Sequence, residues 1–129
     1  MKSEAFLIAD FVSICEHKLT IVNTFDTIKS DTFPFIFRPF GVGYKLIADK
    51  REEGREYELT VLLRREGKTV FTGPPMKASF PKAKQNIRGG HIGALNLVGV
   101  TFEGLGTYIV ELRTKQKIIC QTELYVVKS

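Results

Sequence analysis

The sequence predicts an all-β protein, an antiparallel sandwich of two sheets with an immunoglobulin-like layout and about eight short strands. Three observations support this class. Apolar and polar residues alternate in short runs, which is typical of strands with one buried face. Turn signals separate these runs roughly every 8–12 residues. No helical period of about 3.6 residues persists over the length of a helix. A closed β-barrel is the alternative, because similar strands build both architectures.

The first half of the chain predicts three strands. The short polar segment 16–18 joins the first two as a hairpin, which we expect near the edge of a sheet. Pro34 and Pro39 mark residues 29–38 as a connection, because proline cannot donate to a strand ladder. The strands are predicted at residues 5–15, 19–28 and 40–48.

The second half predicts further strands of the same kind. The clearest alternation begins near Tyr57 and indicates a half-buried strand. Glu66 and Gly67 form a tight turn after it. Gly93 and Gly99 interrupt a later strand and indicate a bulge or a close backbone approach. The predicted strands cover residues 56–64, 68–72, 76–80, 92–102, 108–113 and 118–127.

All of the net charge comes from one segment that has no acidic residue. The chain holds 19 Lys and Arg against 14 Asp and Glu, a formal charge of +5, and residues 67–102 contain five basic residues and no acidic one. Charge concentrated in this way sets up a local field. The basic loop 77–91 therefore predicts an anion-binding site for a phosphorylated ligand or a nucleic acid. Its candidate ligands are Lys82, Lys84, Arg88 and His91, the last in an exposed turn.

The aromatic residues concentrate in the connection between the second and third strands. Aromatic side chains beside prolines form a contact surface for a protein when they are exposed, and otherwise plug the end of a core. We expect a partner contact here, with another protein or with a second copy in a homodimer. The candidate contact residues are Phe33, Phe35, Phe37 and Phe40.

Other chemistry finds little support in the sequence. Cys15, His17, His91 and Cys120 lack the paired short spacings of a zinc site, so no metal site is predicted. Asp10 and Asp26 share a strand face in the first hairpin and are the only half-coherent pair of carboxylates. No nucleophile, base and orienting group can be identified together. We expect no enzyme activity, no catalytic residue and no cofactor.

Length and composition indicate a cytoplasmic protein with a single domain over residues 1–129. No apolar run is long enough to span a bilayer or to form a signal-peptide core, so no membrane partner is expected. Two cysteines without redox spacing are typical of free thiols in a reducing compartment. A disulfide between Cys15 and Cys120 remains an alternative if the first and last strands are neighbours.

The chain also resembles a family of small bacterial β-sandwich proteins of unknown function. The residues that carry the resemblance are Ala9 and Asp10, Lys18, Leu19 and Ile21, Phe25, Asp26 and Ile28, Gly54, Arg55 and Glu56, and Phe102, Gly106 and Tyr108. The resemblance implies a β-sandwich over nearly the whole chain and no particular activity. The sequence therefore predicts a binding or structural module that acts by protein contact or self-association. An anion-binding protein that uses the basic loop is the alternative, with nucleic acid the less expected ligand.

Overall fold

The computed structural model describes residues 1–82, 84 and 89–129, and its regular elements there are all strands. Twelve strands follow one another along the described chain. They are β1 (Lys2–Cys15), β2 (Lys18–Thr24), β3 (Thr27–Lys29), β4 (Phe35–Ile36), β5 (Phe40–Ile47), β6 (Glu56–Arg65), β7 (Lys68–Thr72), β8 (Met76–Ser79), β9 (Gly90–Leu97), β10 (Thr101–Phe102), β11 (Gly106–Arg113) and β12 (Ile118–Val127).

These strands form three sheets. The first has the order β2-β1-β5-β9, and the second has the order β3-β12-β11-β6-β7, with β8 also paired to β6. The short strands β4 and β10 form the third sheet. As far as the described residues define them, none of the sheets closes on itself, so the alternative of a closed barrel is wrong. The expected all-antiparallel pairing is also wrong at one place, because β3 runs parallel to β12.

The twelve strands exceed the expected number of about eight and the nine segments predicted above, in part because the chain changes partners inside two of those segments. Residues 19–28 divide where the backbone leaves β1 for β12. The N–H of Phe25 donates to the carbonyl of Ile8 at 3.0 Å, and the carbonyl of Asp26 accepts from the N–H of Tyr125 at 2.7 Å. Residues 92–102 divide at Gly99, whose φ of +75° turns the backbone out of the strand. The predicted connection 29–38 contains the additional strand β4.

Two hairpins have the tight turns that the sequence predicts. Glu16 and His17 have φ of 51° and 60°, and Glu66 and Gly67 have φ of 51° and 76°. Two successive residues of positive φ form the turn that matches the right-handed twist of a hairpin. The last hairpin is also confirmed, because β11 pairs with β12 antiparallel over nearly its whole length.

The hydrophobic core takes side chains from one face of each larger sheet. On β5, Phe40, Val42, Tyr44 and Leu46 alternate into the core and pack in one cluster with residues of β6, β11 and β12. The Tyr44 ring lies over Gly93, where a Cβ atom would stand 1.9 Å from its Cζ atom. Burial raises the pKa of Tyr44 to about 12.

The tip of the first hairpin crosses the other face of the first sheet. Gly41 and Gly43 alternate with the core residues of β5 and therefore lie on the opposite face. Val12 packs on Gly41, and both Val12 and Ile21 pack on Gly43. The Asn96 side-chain amide donates to the carbonyl of Val12 at 3.4 Å. β1 is thus a sheet strand in its first half and part of an additional layer in its second half.

In the described part of the chain, no helix combines the length and the apolar character that a membrane span requires.

Candidate functional site

The aromatic residues predicted to contact a partner point mainly into the protein. Phe40 is only 1% exposed, and Phe33, Phe35 and Phe37 are half-buried against the same core. The rings pack in a row, and each ring lies between 5.4 and 6.2 Å from the next, measured between centroids. The order along the row is Phe33, Phe35, Phe102, Phe37 and Phe40. The expectation of a partner contact is wrong for Phe40, because a buried ring has no surface to offer. The segment instead closes one end of the core.

The carboxylates of Asp10 and Asp26 have separate partners, and that of Asp10 lies at the aromatic end of the core. Arg38 lies over the Phe37 ring at 4.7 Å and pairs with Asp10, with 2.7 Å between Nη2 and Oδ1. Asp26 accepts a hydrogen bond from the Thr27 hydroxyl at 2.8 Å. The two carboxylates are therefore engaged by different partners, and neither contact indicates a proton shared between them.

The candidate anion ligands have different surroundings. Lys82 and Lys84 are exposed, and the stem of Lys82 runs beside Gly54 in the turn that follows β5. Lys77, at the start of the basic loop, lies 3.8 Å from Glu56 on the neighbouring strand β6. Arg88 lies outside the described residues. Lys77 and Lys82 therefore lie beside different elements, a strand and a turn.

His91 does not lie in an exposed turn, so that expectation is wrong. It is the second residue of β9, and its ring packs half-buried between Tyr44 and Phe80, with centroid separations of 5.9 and 6.1 Å. Burial lowers the pKa of its imidazole, which favours the neutral form. A neutral ring wedged between aromatic side chains is a poor anion ligand. Strand pairing with β5 determines this position, which local sequence does not reveal.

The first hairpin presents a free strand edge, as its predicted place near a sheet edge implies. β2 is the terminal strand of its sheet and pairs only with β1 in the described structure. The two-residue turn makes Cys15 and Lys18 a hydrogen-bonded pair, and such pairs alternate along an antiparallel ladder. The backbone N–H and C=O groups of Leu19 and Ile21 therefore point away from β1. The Val12 carbonyl on β1 points outward by the same rule and accepts its bond from Asn96.

The other sheet edges carry features that discourage pairing. β3 has three residues, and a bulge at Val70 interrupts the pairing of β7 with β6. β9 runs beside β8 of the second sheet. By contrast, β2 has seven residues, contains no proline, and has no charged residue after Lys18. Its backbone is regular up to Asn23, which has a φ of 57°. Residues 18–22 are thus the edge with the least protection among the described strands.

Exposed apolar side chains flank this edge. Phe11 on β1 lies opposite Val22 on β2, and the two side chains are 51% and 41% exposed. Thr20 shares their face of the ribbon, because it lies two residues from Val22. Val12 and Ile21 face the opposite way, toward the glycines of β5. The hairpin therefore packs one face on its own sheet and offers the other face and one edge to solvent.

The fold and the edge of β2 together define a class of protein: an all-β protein with several open sheets and a free strand edge on β2. Within this class, the chain belongs to the family of unknown function DUF6941, whose model matches residues 4–127. The resemblance to an uncharacterised family is thereby confirmed. No curated protein matches the sequence.

Proposed function

We propose that this protein is a single-domain, non-enzymatic β-sandwich that acts by binding protein, and that a second copy of the chain pairs with it along β2. The sandwich is supported by a cluster of buried side chains, among the described residues, to which both larger sheets contribute. The observation that carries the binding proposal is the unprotected edge of residues 18–22, with its outward N–H and C=O groups.

A two-fold axis at Thr20 gives the best register for this pairing. Leu19 of one copy would then lie opposite Ile21 of the other, and each residue has the outward N–H and C=O groups that an antiparallel ladder needs. Lys18 would face Val22 of the second copy. A register centred on Ile21 would bring in Asn23, whose positive φ takes its backbone out of the ladder. The contact is isologous, as expected for a closed dimer.

Charge variants at Thr20 test this proposal. Thr20→Lys places two like charges opposite each other across the axis, and Thr20→Glu does the same with the opposite sign, so each variant should weaken dimerisation at least tenfold. An equimolar mixture of the two variants should associate again as a heterodimer. Sedimentation equilibrium measures all three. The control is Thr107→Lys, which adds the same charge to an exposed threonine of β11.

Hydrogen exchange provides a second measurement. In the monomer, the amides of Leu19 and Ile21 should exchange fast, while those of Thr20 and Val22, bonded to β1, exchange slowly. The first pair should become protected as the protein concentration rises. A wild-type chain that stays monomeric at about 1 mM, where even weak pairs assemble, would overturn the homodimer. Loss of association in the control as well would show that the contact lies elsewhere.

The free thiols support a reducing, cytoplasmic setting for this module. Cys15 is exposed at the end of β1, Cys120 is half-buried in β12, and neither forms a disulfide. Burial raises the pKa of Cys120, which keeps its thiol protonated and unreactive. The proposed absence of enzyme activity is supported by the separate contacts of the two carboxylates. Asp10 pairs with Arg38, and Asp26 accepts a hydrogen bond from Thr27.

A further inference from the structure

A buried carboxylate lies on the outer face of the second sheet. Glu111 alternates along β11 with Tyr108, Val110 and Leu112, which point into the core, so its own side chain points the other way. It is nevertheless only 2% exposed. Its Oε1 atom has no hydrogen-bond donor among the described residues. A buried acceptor without a donor is rare in folded proteins and calls for a physical explanation.

Two arginines neutralise this carboxylate without satisfying it. Nη1 of Arg64 and Nη1 of Arg113 each lie 3.6 Å from Oε1, beyond the range of a good N–H···O hydrogen bond. Each guanidinium is held by a backbone carbonyl instead. Arg64 donates to Gly67 at 2.9 Å, and Arg113 donates to Thr114 at 3.3 Å. A guanidinium carries five N–H groups, so each arginine has further donors beyond these contacts.

A cavity of about 260 Å³ opens beside these groups. It is large enough for several non-hydrogen atoms, since one water molecule occupies about 30 Å³ of liquid. Its walls combine charged, polar and apolar side chains. The lining residues are Arg64, Glu66, Gly67, Ile109, Glu111, Ile118 and Gln121. With Arg113 beside it, the site holds two positive and two negative side chains, so a ligand without net charge matches it.

We propose that this cavity binds a small free α-amino acid as its zwitterion. The ammonium group supplies the donor that Oε1 of Glu111 lacks, with Glu66 at the exposed rim. The carboxylate of the bound amino acid accepts hydrogen bonds from the planar guanidinium of Arg64. Ile109 and Ile118 contact a short apolar side chain. This site is independent of the proposed dimer, because it lies on the second sheet and β2 belongs to the first.

Titration of the labelled protein with L-valine, followed by amide NMR shifts, tests this assignment. Saturable shifts should appear around the lining residues of β6, β11 and β12. N-acetyl-L-valine lacks the ammonium group and L-valinamide lacks the carboxylate, so each should bind at least tenfold more weakly. Glu111→Gln should also weaken L-valine binding at least tenfold. Arg51→Gln, in an exposed turn, should leave it unchanged.

Two results would overturn the proposal. Linear, unsaturable shifts with L-valine would mean that the cavity holds ordered water only. Equal responses to L-valine and N-acetyl-L-valine would mean that Glu111 does not recognise an ammonium group. If Glu111→Gln fails to fold, Arg64→Gln removes the carboxylate contact instead and should weaken L-valine binding by the same factor. Its fold is checked by the amide spectrum without ligand.

Discussion

Gly41 and Gly43 are the residues on which the first hairpin rests. A Cβ atom on Gly41 would stand 2.6 Å from Cγ2 of Val12, well inside any real contact. On Gly43 the closest atoms of Val12 and Ile21 would be at 3.3 and 3.4 Å, which small adjustments can absorb. The two glycines therefore set how closely the hairpin approaches β5.

Alanine substitutions at these two positions should lower the free energy of unfolding by different amounts. Gly41→Ala should lower the free energy of unfolding by about 1–3 kcal/mol through overpacking. Gly43→Ala, on the same strand and face, should cost less. Urea denaturation measures both. In a Val12→Ala background the cost of Gly41→Ala should fall, because the two closest atoms are the Val12 methyl groups, although Asn96 Oδ1 remains at 3.1 Å. An unchanged cost there would mean that the contact with Val12 does not limit the packing.

His91 makes stability depend on pH in a predictable direction. Burial lowers the pKa of its imidazole in the folded state below the usual value of about 6.5. The unfolded chain then binds the proton more readily between these two values. The contribution of His91 is therefore complete above about pH 6.5 and is lost as the pH falls through the folded pKa.

Urea denaturation between about pH 7.5 and pH 5.5 checks this dependence. The free energy of unfolding should fall with pH in the wild-type protein and fall less in His91→Gln. His17→Gln, which changes the exposed histidine of the first turn, is the control and should keep the wild-type dependence. Equal pH dependence in wild type and His91→Gln would contradict the assignment to His91.

At the scale of elements, β4 and β10 form a small sheet with one face against the core and one face exposed. Phe35 stacks on Phe102 at 5.5 Å, and Phe102 contacts Tyr108 at 5.1 Å, so one face of this small sheet joins the core. Ile36, the next residue, pairs with Thr101 and is 72% exposed. Alternation along two residues thus separates a packing face from a solvent face.

Truncating one side chain on each face should lower the free energy of unfolding by different amounts. Phe102→Ala should lower the free energy of unfolding by about 3–5 kcal/mol, because it leaves a cavity under Phe35 and Tyr108. Ile36→Ala should change it by no more than about 0.5 kcal/mol, as is usual for exposed positions. Thermal and urea unfolding give both values. A large cost for Ile36→Ala in dilute solution would show that this side chain packs more tightly than its exposure indicates.

The hairpins also show which elements local sequence predicts. The turns at residues 16–17 and 66–67 and the pairing of β11 with β12 depend on neighbours in sequence, so turn chemistry and alternation identify them. The strands β3, β4 and β10 have two or three residues each and exist because a distant strand pairs with them. Their sequences carry too few residues for a periodic signal.

At the scale of the whole molecule, the acid-free segment does not form one positive surface in the described structure. It passes through β7 and β8 of the second sheet and β9 of the first. Lys68 pairs opposite Arg65 at one end of β6, while Lys77 pairs opposite Glu58 near the other end. A charge excess along the sequence therefore becomes a dispersed field, because strands carry neighbouring residues to distant places.

The candidate amino-acid site shows the limit of prediction from sequence most clearly. Alternation along the last hairpin assigns Glu111 and Arg113 to a polar face, and this much is local. Glu111 pairs with Arg64, which comes from β6, the neighbouring strand of the sheet. A single sequence without its strand order does not contain that juxtaposition.

By itself, the sequence determined the all-β class, the main hairpins and the likeness to an uncharacterised family, because alternation and turn chemistry act over a few residues. The tertiary structure alone decided that the aromatic segment closes the core, that His91 is wedged between Tyr44 and Phe80, and that β2 keeps a free edge. These features depend on which strands, distant in sequence, pair and pack with one another. Burial and pairing therefore cannot be derived from any one segment.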